Sequence, residues 1–197
     1  MDFLKDIVKE QGIVNMIIDY KKRLEWVEYI EESDNDWYWI SCRKKLSEDF
    51  IREFQNEVDW EWISIEQELS ESFIIEFKDK VHWKCISGSQ KLSQDFIRKH
   101  QDLIDWEWIS TTQQKLSQDF IREFRDKVCW KGISYHQTLS EDFIREFQDK
   151  VHWMHICNRQ ILSEDFIREF QDKVCWGYIS MFQKLSKDFE EEFKHKL

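Results

Sequence analysis

The segment LSEDFIREFQDKV occurs twice without change, at Leu139–Val151 and Leu162–Val174, and near copies begin at Leu46, Leu69 and Leu116. Tryptophan keeps the same period. Trp37, Trp60, Trp83, Trp106, Trp130, Trp153 and Trp176 recur every 23 residues, with one step of 24. The extra residue lies between Trp106 and Leu116, in ISTTQQKL. Self-similarity at a fixed short period marks a repeat array whose unit is one small supersecondary element. The unit reads W-x-x-I-S-x-x-Q-x-L-S-x-D-F-I-R-E-F-x-D-K-V-x, and seven copies run from about Asp36 to the end of the chain.

The second half of the unit reads as a helix. Ser47 precedes Glu48 and Asp49, then Phe50, Ile51, Phe54 and Val58 draw one apolar stripe at i, i+1, i+4 and i+8. Serine is a good N-cap, and Leu46 with Ile51 matches a hydrophobic staple. Acidic residues in the first turn and lysine in the last suit the helix dipole. Glu146–Lys150 and Glu169–Lys173 have i, i+4 spacing, which predicts ion pairs along the helix. In the first half, Trp60, Ile63, Ser64 and Gln67 fall on one helical face, with Asp59 placed to cap it. Trp60 and Trp62 also alternate as in a strand, but only the i, i+3, i+4, i+7 set recurs, which favours a short helix. The small residue after Ile, usually Ser and once Cys157, lets two helices approach closely.

A single unit is too small to bury its apolar stripe alone, so the units must stack. The expected fold is all-α, an α-solenoid of short helix pairs over residues 36–197. The last unit replaces the recurrent Ile by Glu190, as a polar closing repeat would. Residues 1–35 read as an N-terminal capping segment. Trp26, Val27 and Ile30 echo the Phe-Ile-Phe spacing, and residues 2–18 form a further apolar pattern, interrupted near Gly12, that caps the array or docks on a partner.

Composition sets limits on function. The net charge is −11, from 40 acidic and 29 basic residues, which repels phosphate backbones and anionic membrane surfaces. No apolar run approaches the roughly 20 residues of a membrane-spanning helix. The charged residues Asp2, Lys5, Asp6, Lys9 and Glu10 do not suit a signal peptide. Five cysteines, an odd number without a CxxC, read as free thiols in a reducing compartment.

The unit, carried for example by Trp130, Ile133, Ser134, Gln137, Leu139, Ser140, Asp142, Phe143, Ile144, Phe147 and Val151, resembles short tandem repeats in proteins of large DNA viruses that infect amoebae. The resemblance covers about Asp36–Leu197 and implies a viral source and a repeat scaffold, acting in host cytoplasm or virion. It carries over no catalytic residue. The third unit departs from the pattern at Lys99-His100 and Leu103-Ile104.

A residue needed by the fold appears in every unit, whereas a catalytic residue is needed once. On that ground the Glu-Asp of LSED belongs to the helix start. The row before each Trp includes His82, Cys129, His152 and Cys175. Helix layers lie about 8–10 Å apart and zinc bonds are about 2.0–2.3 Å long, so equivalent positions do not share an ion. His152, His155 and Cys157 are closer but form an incomplete set, and Cys129 with His136 matches no nucleophile signature. There is no Gly-rich phosphate loop, HExxH or GxSxG, so no enzyme, metal, cofactor or small-molecule substrate is expected. The repeated Trp shares a face with Ile and reads as core rather than a base-stacking ladder, so no nucleic-acid partner is expected either.

One surface diverges. The positions between the fixed ones of the first helix differ from unit to unit, while even the outward charges of the second helix are copied. This face is the expected partner surface, with Trp39, Trp62, Trp108, Tyr135, Tyr178 and Phe182 as candidate anchors, because aromatics concentrate binding energy. The alternative is that these aromatics pack beneath neighbouring units. The expected role is a protein-interaction scaffold that binds a host or viral protein; a self-assembling structural component, a homo-oligomer, is the second reading.

Overall fold

The computed structural model describes residues 18–196 other than Tyr20, Lys44 and Gln113. The chain divides into two compact units, Met1–His82 and Trp83–Leu197. Within the first, helix α1 covers residues 21–32 and is followed by α2 (Trp37–Arg43), α3 (Glu48–Glu53), α4 (Trp60–Glu66) and α5 (Glu71–Glu76). The second holds α6 (Trp83–Ser89), α7 (Gln94–Lys99), α8 (Trp106–Thr111), α9 (Gln118–Glu123), α10 (Trp130–His136), α11 (Glu141–Glu146), α12 (Trp153–Arg159), α13 (Glu164–Glu169), α14 (Trp176–Phe182) and α15 (Lys187–Glu192). Each repeat is a pair of short helices, and the described residues contain no strand. The architecture is an α-solenoid of stacked helix pairs, with first helix packed on first helix: α2 on α4, then α6 on α8, α8 on α10, α10 on α12 and α12 on α14.

The core is made by the positions that never vary. Phe50, Phe73, Phe120, Phe143, Phe166 and Phe189 are fully buried, as are Ile40, Ile63, Ile86, Ile109, Ile133, Ile156 and Ile179. The repeat Trp is half-buried and lies against the two phenylalanines of its own unit: Trp130 is 4.8 Å from Phe147 and 6.2 Å from Phe143 between ring centroids. Its indole N–H donates to the carbonyl five residues earlier, as from Trp130 to Arg125 at 2.9 Å. In the divergent third unit His100 takes the place of Phe and lies tilted against Phe96, 4.7 Å between ring centroids, while Ile104 stays buried.

Two polar ladders tie successive units together. The serine after Ile donates to the carbonyl four residues back and accepts the N–H of the residue that opens the next unit. Ser110 donates to Trp106 and accepts from Cys129, and Ser134 donates to Trp130 and accepts from His152, both N–H bonds at 2.9 Å. The buried glutamine reaches the preceding unit: Gln160 Oε1 accepts from Leu139 N and Nε2 donates to Gln137 O. In the longer repeat this role falls to Gln114, counted back from Leu116, so the added residue is absorbed in the loop after α8.

The serine caps are formed as the sequence predicts; Ser140 Oγ accepts from Phe143 N at 3.2 Å. The second helix, however, is shorter than its apolar stripe. It ends at Glu53, Phe54 leaves helical geometry at φ −106° and ψ 30°, and a separate turn carries Val58 back into the core. That break swings the lysine off the helix. The expected Glu146–Lys150 and Glu169–Lys173 pairs are therefore replaced: Lys150 meets Asp126 at 2.6 Å and Lys173 meets Asp149 at 3.0 Å, while Glu146 and Glu169 pair with Arg122 and Arg145 of the preceding units. The glutamate of LSED also acts between units, since Glu164 Oε1 accepts the N–H of the Ser186 cap at 2.6 Å.

At the N-terminal side α1 covers the first core layer through Trp26, edge-on to Phe50 at 5.5 Å, and Tyr29 at 6.1 Å. Val27, expected to pack there, is exposed. Asp34 and Asn35 take positive φ in the turn to α2, a conformation these two residue types tolerate. The expectation for residues 2–17 falls outside the described residues. Glu190 is exposed at a position where Ile is otherwise fully buried.

Candidate interaction surface

The variable positions of the first helices lie beside those of the next unit, and much of their variation is mutual fit. In the first compact unit Tyr38 stands edge-on to Trp62 at 5.4 Å. In the second, a Cβ added to Gly88 would lie 2.7 Å from Trp108 Cε3, so the missing side chain makes room for the indole, over which Lys84 also sits at 5.6 Å. Gly132 likewise admits Thr111, with 2.8 Å to its methyl. Tyr135 packs between His155 at 5.0 Å and the Arg159 guanidinium at 4.1 Å.

The six candidate anchors therefore divide. Trp39, Trp108 and Phe182 keep 42 %, 44 % and 52 % of their surface in solvent. Trp62, Tyr135 and Tyr178 are half-buried, Trp62 against Tyr38, Tyr135 against Arg159, and Tyr178 stacked 5.9 Å from Phe182. Met181, a variable position of the same face that is not among the aromatic anchors, is also exposed. Sequence reasoning missed two adjoining cavities in the second compact unit. One of about 770 Å3 is lined by Lys91, Gln94, Gln114 and Lys115, and one of about 500 Å3 by Lys115, Tyr135, His136 and Arg159. The signal was present in the lysines at the loop position before Leu, which a search for aromatics did not weigh.

The His and Cys residues form no ligand cluster: among the described residues no group of three or more His, Cys, Asp or Glu is placed to hold a metal. His152 and His155 lie ring to ring at 4.3 Å, each with a buried Nδ1 that lacks a hydrogen-bond partner. Burial, then the neighbouring His152, Lys131, Arg159 and His136, holds the His155 imidazole below its usual pKa. Cys157 replaces the ladder serine, accepts the Cys175 N–H at 3.2 Å, and is pushed by burial up to about 11, an unreactive thiol.

No protein-family profile, curated protein or solved structure matches this chain. The surface itself is the ground for a functional reading.

Proposed function

We propose that the protein is a non-enzymatic repeat scaffold that binds another polypeptide through the exposed face of its first helices. The observation that carries this reading is the contrast between faces. The outward charges of most second helices are spent on inter-unit ion pairs, such as Arg145 with Glu169 at 2.8 Å. The first helices instead hold Trp39, Trp108 and Phe182 in solvent. Half-exposed aromatics on already folded helices supply large contact area at small entropic cost. The resemblance of the repeat to those of large amoeba-infecting DNA viruses makes the role that of a viral adaptor in host cytoplasm or virion, with a host or viral protein as partner. Tagged capture at physiological salt with nuclease tests it. A near-stoichiometric foreign polypeptide, lost on Trp39→Ser with Trp108→Ser while helicity is retained, is the expected result. Capture unchanged by the substitutions contradicts it.

A second reading, self-assembly, draws on one feature. Ser180, Met181 and Phe182 are exposed on α14, whereas the equivalent serines Ser87, Ser110 and Ser134 are fully buried under the next helix. A monomer mass at high protein concentration excludes it.

A further inference from the structure

The charges of the second compact unit are sorted by face. On its second helices and the turns after them, Arg98, Arg122, Arg145 and Arg168 meet Glu123, Glu146, Glu169 and Glu192. The first helices and their following loops carry six cations, Lys84, Lys91, Lys115, Lys131, Arg159 and Lys184, against Glu107 and the helix-capping Asp105. That is a local balance of +4 in a chain of net charge −11. Among the described residues none of the six makes an ion pair.

The two cavities open on this strip. Lys115 lines both, so the two cavities flank one lysine and form a row, the groove, over the loops of successive repeats. Its charged wall consists of Lys91, Lys115 and Arg159, with His136 beside them, and no carboxylate lines it. The sequence departs from its own consensus in the same sense. The residue after the capping serine is Glu at Glu48, Glu71, Glu141 and Glu164, but neutral at Gln94 and Gln118, and Gln94 forms part of the groove wall.

We propose that this groove binds an extended acidic polypeptide segment, the partner chemistry of the scaffold reading on which it rests. Stacked helix layers lie about 8–10 Å apart, and an extended chain advances about 3.3 Å per residue. A carboxylate at every third residue then matches the step between Lys91 and Lys115 of successive repeats, and Arg159, which lies 4.1 Å from the Tyr135 ring of the repeat before its own, extends the row. A long nucleic acid fits less well. The second helices present Asp95, Asp119, Asp142 and Asp165 at 90–95 % side-chain exposure, each shared with an arginine, and the chain's net charge of −11 repels a phosphate chain that runs beyond the groove.

The test uses the full chain and a fluorescent peptide of about ten residues with Glu at every third position. Its Gln counterpart and a single-stranded oligonucleotide of matched length serve as comparisons, all read by polarisation. The expected result is saturable, salt-sensitive binding of the Glu peptide alone. Binding weakens about tenfold in the Lys91→Glu, Lys115→Glu double variant and stays unchanged in Lys99→Glu, Lys187→Glu, which makes the same charge change elsewhere. Absence of peptide binding, equal loss in both variants, or tighter binding of the oligonucleotide overturns the proposal. If peptide binding fails while capture remains sensitive to Trp39 and Trp108, only the acidic-segment inference falls. If the peptide binds but capture does not depend on those residues, the scaffold reading falls instead.

Discussion

Ser134 and His152 stand eighteen residues apart and share a 2.9 Å hydrogen bond, the N–H of His152 donating to the hydroxyl that itself donates to the Trp130 carbonyl. One fully buried hydroxyl thus closes its own helix and fixes the start of the next unit. Ser134→Ala leaves that N–H without an acceptor, and the expected loss is about 1–3 kcal/mol in urea unfolding. Ser134→Cys should cost less, because Cys157 already fills the role two helices away, accepting from Cys175 N at 3.2 Å. Equal loss in the two variants would remove the hydrogen bond from the account.

Gln137 satisfies two backbone groups of the preceding unit, accepting from Leu116 N and donating to Gln114 O, both at 2.9 Å. Gln137→Met keeps the volume and strips both partners. The expected result is a loss of about 1–3 kcal/mol, accompanied by faster amide exchange at Leu116. Unchanged exchange there would show that water replaces the amide without cost.

The stack, its period, the serine caps and the buried Phe-Ile pairs were legible because every unit restates them. The extent of the second helix was not. Val58 falls on the helical stripe, yet a tight turn after Phe54 returns it to the core equally well, and apolar spacing cannot separate the two geometries. The same turn re-aims the lysines, so Lys150 meets Asp126 rather than Glu146. The serine looked like a spacer because only contacts between units reveal its hydrogen bond. Of the candidate anchors, Trp62 and Tyr135 looked like Trp39 and Trp108 in sequence. Their partial burial depends on Tyr38 and Arg159, residues outside their own units.

All five cysteines are thiols outside any disulfide. Cys42, Cys85, Cys129 and Cys175 are partly accessible, whereas Cys157 is buried with its pKa pushed up to about 11. With a neutral disulfide reagent, four thiols should react promptly and Cys157 only at the rate of structural opening. Rapid titration of the fifth thiol under native conditions would contradict its place in the ladder.

Half-buried His155 and, although it is exposed, His136 are both held below the ordinary histidine value of 6.5, chiefly by desolvation, with Arg159 adding repulsion at each. The folded state therefore binds these protons later than the unfolded chain. Their contribution to stability is full above about pH 6.5 and is lost as pH falls through the lowered folded values. Melting temperature should decline in that window, and His155→Gln should flatten the decline. The carboxylates act lower. Asp126, held below 3.8 by its hydrogen bond to Lys150, contributes until pH drops beneath that range. A melting curve independent of pH between about 8 and 5 (about one and a half units either side of the histidine value) would contradict the partial burial of His155.

The claim that the first-helix face is the working surface is tested most directly by hydroxyl-radical footprinting of the protein alone and with its captured polypeptide. Trp39, Trp108 and Phe182 should oxidise readily in the free protein and be protected in the complex, while Phe50, Phe143 and Phe166 should be protected in both. Oxidation of those three exposed aromatics that is unchanged by a bound partner, with protection appearing on the second helices instead, would contradict it.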